Sequence, residues 1–116
     1  MKYITFTIPC YNSENYMRRC VDSLLVGGED VEILIIDDGS SDRTGAIADE
    51  YEMLYPNIVK AVHKPNGGHG SGVNKGLELA HGLYYKVVDS DDWFDRDAYL
   101  KMLDKIKSLK SHSSQI

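Results

Sequence analysis

Apolar and polar residues alternate over residues 3–8, which places Ile4, Phe6 and Ile8 on one side of the chain. A period of two marks a strand with one buried face, and Pro9 is expected to stop it. The period then lengthens. Tyr16, Met17, Cys20, Val21, Leu24 and Leu25 recur at helical spacing. Ser13 is placed to cap that helix, Glu14 falls in its first turn, and Gly27-Gly28 end it. Residues 31–36 form a nearly unbroken apolar run, as in strands buried on both faces, which are mostly parallel. Asp37-Asp38-Gly39-Ser40 reads as a turn. Ser40 or Ser41 then caps a second helix carried by Ile47, Ala48, Tyr51, Leu54 and Tyr55, broken at Pro56-Asn57.

A short third strand is predicted over residues 58–62. A glycine-rich loop, Asn66 to Gly72, leads into a third helix with Val73, Leu77 and Ala80 on its inner face. His81-Gly82 turns the chain into a fourth strand, residues 83–88. Asp95 caps a last helix with Tyr99, Met102, Leu103, Ile106 and Leu109 on one stripe. Strands and helices therefore alternate, βαβαβαβα. That order predicts an α/β fold with a mostly parallel sheet, flanked by helices and built from right-handed crossovers. In such sheets ligands bind beyond the carboxyl ends of the strands. Four chemically unusual segments fall at those ends: Pro9–Asn12, Asp37–Ser40, the loop after Val62, and Asp89–Asp92.

Composition narrows the class. The chain has 116 residues, a net charge of −5 and 42% hydrophobic residues, which suits one globular domain with a real core. The acidic balance argues against a sequence-independent grip on nucleic acid or a polybasic membrane surface. No apolar run approaches the ~20 residues of a membrane span. The N-terminus lacks the unbroken apolar stretch of an export signal, so a cytoplasmic protein is expected. Cys10 and Cys20 show no metal-ligand spacing and read as reduced thiols.

The loops carry the chemistry. Asp89, Asp91 and Asp92 crowd three carboxylates into four residues. Like charges this close need a counter-charge, and a hard divalent cation held with substrate phosphates supplies one. Helix capping explains one of these aspartates but not all three. In Asp37-Asp38 one carboxylate can accept an N–H from a base or a ribose hydroxyl, or Asp37 and Ser40 can simply form a strand-to-helix turn. The segment from Gly67 to Gly72 holds four glycines and opens a helix, which suits close approach to phosphate, or it is a flexible loop. No Lys-Ser/Thr follows it, so it is not a P-loop. His69 is either a phosphate donor and proton carrier or a solvated side chain. Tyr11 either stacks on a base or packs over the sheet edge. Trp93 is expected to anchor the acidic loop, and Tyr84 and Tyr85 to sit in or on the sheet.

Four segments taken together carry a resemblance. They are Thr7-Ile8-Pro9-Cys10-Tyr11-Asn12, Ile35-Ile36-Asp37-Asp38-Gly39-Ser40-Ser41-Asp42, Asn66-Gly67-Gly68 through Asn74-Lys75-Gly76, and Val88-Asp89-Ser90-Asp91-Asp92. In this order and spacing the chain resembles the family 2 glycosyltransferases, over residues 3 to about 105. The resemblance implies the Rossmann-like GT-A fold and an inverting transferase that uses a nucleotide-diphosphate sugar, most commonly UDP-linked, with Mn²⁺ or Mg²⁺. It implies that Pro9, Tyr11 and Glu14 line the nucleotide pocket and that Asp38 faces the base. It sets Asn66, Gly67, Asn74 and Lys75 in the donor site. Asp89-Ser90-Asp91 then corresponds to the DxD motif, with Asp91 the direct metal ligand and Asp89 nearer the ribose or sugar. The acceptor would be a sugar, a lipid or a growing polysaccharide, met at the inner face of a membrane in the full-length protein.

Two departures qualify the match. Where the family has Ala-Arg-Asn, this chain has Gly72-Val73-Asn74, so a cation is missing unless Lys75 or His69 replaces it. The chain also ends soon after the helix that follows the acidic motif, whereas family members run further. Asp95, Asp97 and Asp104 read as cap and helix-surface residues, so the catalytic base is expected outside this chain. Residues 1–109 are thus expected to form the nucleotide-sugar-binding part, and 110–116 a polar, frayed tail. A non-catalytic nucleotide-binding module is the alternative. A phosphorylation-receiver domain wants its acidic pair after strand one, and a dinucleotide oxidoreductase wants G-x-G-x-x-G there. Neither is present.

Overall fold

The computed structural model describes residues 1–114, with side chains described as far as Lys110. The strands are β1 (Ile4–Cys10), β2 (Val31–Asp38), β3 (Val59–Lys64) and β4 (Tyr84–Val87). The helices are α1 (Met17–Leu25), α2 (Thr44–Leu54), α3 (His69–Leu79) and α4 (Arg96–Ser114), with a 3-10 turn at Gly28–Asp30 before β2. The sheet is fully parallel in the order β3-β2-β1-β4. The expected α/β architecture is therefore present.

Ile4, Phe6, Ile8 and Cys10 point to one face of the sheet, where α1, α2 and α4 cover them. Phe6, Phe94 and Tyr99 meet edge to face with centroids 5.4–5.6 Å apart, and the Tyr99 hydroxyl donates to the Leu24 carbonyl at 2.8 Å. The other face belongs to α3. A Cβ at Gly72 would press on Pro9 and Ile36, and one at Gly76 would collide with Thr7 and Tyr85. Helix α3 thus lies close on the sheet because its contact stripe has no side chains.

This overturns one expectation. The buried residues of α3 are Gly72 and Gly76, whereas Leu77, expected inward, is 58% exposed. Several boundaries also move. Pro9 lies inside β1, paired in register with Ile36. Thr7 accepts a hydrogen bond from Val88. Pro9 points the same way two residues later, past the end of β4, so its missing N–H leaves no ladder bond unmade. Ser13 does not cap α1, which starts at Met17. Neither Ser40 nor Ser41 caps α2; Asp42 Oδ1 accepts from the Thr44 N–H at 2.9 Å instead. Asp95 does cap α4, accepting from the Ala98 N–H at 3.0 Å. Helix α4 continues past Leu109 to Ser114. The expected fraying of the tail concerns residues 110–116, most of whose side chains lie outside the described residues. Among the described residues no helix is long and apolar enough to cross a membrane.

Candidate active site

Strand β2 runs through Asp37 and Asp38, which are buried rather than in an exposed turn. Each aspartate is held by the neighbouring strand. Asp38 Oδ1 accepts from Lys64 Nζ at 2.7 Å and the Gly67 N–H at 2.9 Å, while Oδ2 accepts from the Gly68 N–H at 2.9 Å. Burial pushes the Asp38 carboxyl up, but these three donors outweigh it and hold the group below its ordinary value. The glycine-rich loop is therefore pinned to the end of β2. Gly39, at φ +71°, gives the same loop room, since a Cβ there would strike the Asn66 backbone.

Asp37 Oδ1 accepts from the Ser40 N–H at 3.0 Å, and its Oδ2 meets His63 Nδ1 at 3.0 Å. The other nitrogen of His63 meets Asp49 Oδ1 at 2.7 Å. Only the imidazolium can donate to both carboxylates. Asp37 first, then Asp49, raises the His63 pKa. The sign follows: this group stabilises the fold below its unfolded value of about 6.5 and loses that contribution as pH rises through the raised folded value. We expect the thermal stability of the wild type to fall over that window relative to His63→Gln. Parallel pH profiles of the two proteins would contradict it.

The loops after β1 and β2 are laced together. Asn12, at φ +50°, accepts from the Ser41 N–H at 2.9 Å and gives its own N–H to Ser40 Oγ at 3.0 Å. Glu14 accepts from the Arg43 N–H at 3.3 Å, and Asp42 accepts from the Glu14 N–H at 3.2 Å. Ser13, fully buried, lies 3.0 Å from Ser90, oxygen to oxygen, and so ties the β1 loop to the acidic loop after β4.

These loops enclose a cleft of about 300 Å³ beyond the carboxyl ends of the strands. Pro9, Cys10 and Tyr11 line it from β1, Asp38 from β2, and Asn66, Gly68 and His69 from the loop into α3. Tyr11 is 53% exposed, its ring available to a ligand. Burial pushes the Cys10 thiol up to about 12, so it lines the cleft as an inert group. Across the mouth, Asp89, Asp91 and Asp92 offer oxygens within 4.8 Å of one another, all exposed. His69 Nε2 stands 3.7 Å from Asp89 Oδ1. Burial, then Asp92, Asp91 and Asp89, push the nearby Cys20 thiol up to about 12.

Of the residues picked from the sequence, Pro9, Tyr11, Asp38 and Asn66 thus reach one cleft, with Gly67 pinned beside it. Asp89 and Asp91 stand together, with Asp89 Oδ1 3.7 Å from His69 of the cleft lining. Glu14 engages the start of α2 instead of the cleft lining. Asn74 and Lys75 sit further along α3, and Lys75 Nζ lies 3.5 Å from Glu78. Trp93 is not a buried anchor: it is 51% exposed with the Arg19 guanidinium 3.3 Å over its ring, and the half-buried Phe94 packs against the core instead. Lys64 was missed, although its place just before the glycine-rich loop set it beside an end-of-strand carboxylate.

The chain is similar to known proteins in sequence and fold. The model of the family described as glycosyl transferase family 2 matches residues 5–113. EpsH of Bacillus subtilis, named as a glycosyltransferase, is 40% identical over 101 residues, covering 86% of this chain and 29% of EpsH. The glycosyltransferase GlyA of Streptococcus pneumoniae is 38% identical over 103 residues, covering 88% of this chain and 14% of GlyA. The crystal structure of S. aureus TarS in complex with UDP-GlcNAc matches with a TM-score of 0.78 at 29% identity, over 93% of this chain and 32% of that one. The chain therefore spans about a third or less of the length of these relatives. Its parallel sheet and flanking helices are those of the GT-A fold, and the chain belongs to glycosyl transferase family 2.

Proposed function

We propose that this chain is the donor-binding part of an inverting glycosyltransferase that uses a UDP-linked sugar and a divalent cation. The observation that carries this reading is the placement of an oxygen-only acidic trio, Asp89, Asp91 and Asp92, at the mouth of a cleft built by the β1, β2 and β3 loops. The TarS crystal structures with UDP and with UDP-GlcNAc support the choice of nucleotide.

The trio fits Mn²⁺ or Mg²⁺, since hard cations take carboxylate oxygens. Asp91 and Asp89 would hold the ion, which would stabilise the departing diphosphate as a Lewis acid. The chain's own residues do the rest of the binding. Tyr11 offers a ring face to the base. Asp38 keeps the glycine-rich loop in place, and Oδ2, with one bond made, retains a lone pair for a base N–H. The acceptor is a sugar, lipid or polysaccharide hydroxyl, and its contacts and the catalytic base lie outside this chain. A nucleotide-sugar donor and two free cysteines suit the cytoplasm, at the inner face of a membrane.

Thermal shift tests the reading. UDP with Mn²⁺ should stabilise the chain by about 2.7 kcal/mol at a hundredfold excess over the dissociation constant, and a chelator should remove the effect. Asp91→Asn should abolish the metal-dependent part and leave the metal-free melting temperature unchanged or higher, because one of three repelling carboxylates is gone. Equal stabilisation in chelator counts against the metal. A large loss of melting temperature in metal-free Asp91→Asn makes Asp91 structural.

A further inference from the structure

We propose that His69 is the side chain that grips the donor's diphosphate, giving its ring N–H to a phosphate oxygen at the cleft mouth. The assignment rests on the donor reading above and names a residue within that site.

A glycine-rich loop ordinarily meets phosphate through backbone N–H groups. Here the two donors that precede the helix are committed elsewhere. The N–H groups of Gly67 and Gly68 and the ammonium of Lys64 all point at Asp38. Lys75 lies away from the cleft lining, beside Glu78. Of the loop residues that line the cleft, Asn66, Gly68 and His69, only His69 brings an imidazole, whose ring N–H is a donor to phosphate oxygen. It is 63% exposed at the side chain, and its Nε2 stands 3.7 Å from Asp89, too far for a hydrogen bond. That nitrogen is therefore available to a ligand. The ring also sits beside Asp89, one of the aspartates proposed to hold the cation, so one diphosphate placed between them would meet both the ring N–H and the cation. His69 opens α3, where the helix start itself favours an anion.

The proposal separates the diphosphate from the nucleoside. Calorimetry on the full chain with UDP, UMP and uridine, each with Mn²⁺ and with chelator, reads it directly. His69→Ala should weaken UDP roughly tenfold to a hundredfold, the range for one charged hydrogen bond, and leave uridine unchanged. His69→Gln, which keeps an N–H donor, should recover part of the loss. His81→Ala, at an exposed histidine paired with Glu32, should behave as the wild type. Equal loss for uridine and UDP would make His69 a structural residue and overturn the assignment. Unchanged UDP binding in His69→Ala, with the wild type binding UDP, would overturn it while the donor reading stood. A wild-type chain that ignores UDP in every arm would overturn both.

Discussion

Asp38→Ala lowers the unfolding free energy of this chain by about 3–5 kcal/mol, the range for removing one partner of a buried ion pair. Asp38 and Lys64 have side chains only 7% and 14% exposed, so water screens the pair little. The variant leaves the Lys64 ammonium without its carboxylate and frees the N–H groups of Gly67 and Gly68. A fold of this size has about 5–15 kcal/mol in all, so the loss is large. Its pH dependence has a fixed sign. The folded Asp38 carboxyl lies below its ordinary value, so its contribution is present above about pH 3.9 and is lost as pH falls through the folded value. Urea unfolding should therefore separate wild type and variant at pH 7 and bring them together in strong acid. A difference under about 1 kcal/mol at neutral pH, the range of exposed pairs, would show the latch to be loose.

The second large effect is an absence of turnover. With UDP-sugar and Mn²⁺ bound, this chain should show acceptor-dependent transfer at least ~10²-fold below ordinary enzyme rates, because a positioned base typically supplies 10²–10⁴-fold. The described carboxylates near the cleft are already engaged. Asp38 holds the loop, Asp95 caps α4, and Asp89, Asp91 and Asp92 form the acidic cluster proposed to hold the cation. Asp97 and Asp104 lie on α4. Acceptor positioning, a further and often larger contribution, would be missing as well. Slow donor hydrolysis is compatible with this reading, since water needs no acceptor pocket. A nucleotide-release assay with acceptors added and omitted checks it. Acceptor-dependent release at ordinary rates would require a base among Asp92, Asp95, Asp97 and His69.

Much of this architecture was legible in the order of residues. The nearly unbroken run Val31–Ile36 announces a doubly covered strand, and the alternation of strands and helices puts four odd loops at one edge. The misreadings share a physical cause. Hydropathy patterns locate side chains, and α3 packs through the absence of them: Gly72 and Gly76 carry no apolar signal, so the pattern points to Leu77 instead. Asp37 and Asp38 looked like turn residues because their partners, His63, Lys64, Gly67 and Gly68, are 26–30 positions away. Burial of a carboxylate depends on those distant donors and cannot be read locally. Trp93 and Phe94 are adjacent aromatics, and only the packing around Phe6 decides which one enters the core.

The proposed site brings a nucleoside diphosphate and a divalent cation together at one place, between the α3 start and the acidic loop. Paramagnetic broadening by Mn²⁺ in amide spectra of the isotope-labelled chain locates the ion directly. With UDP present, the signals of Asp89–Asp92, Gly68, His69 and Tyr11 should broaden first, and Asp91→Asn should remove the effect. Broadening centred on another acidic surface, such as Asp49 and Glu50 on α2, or broadening that UDP does not change, would contradict the account.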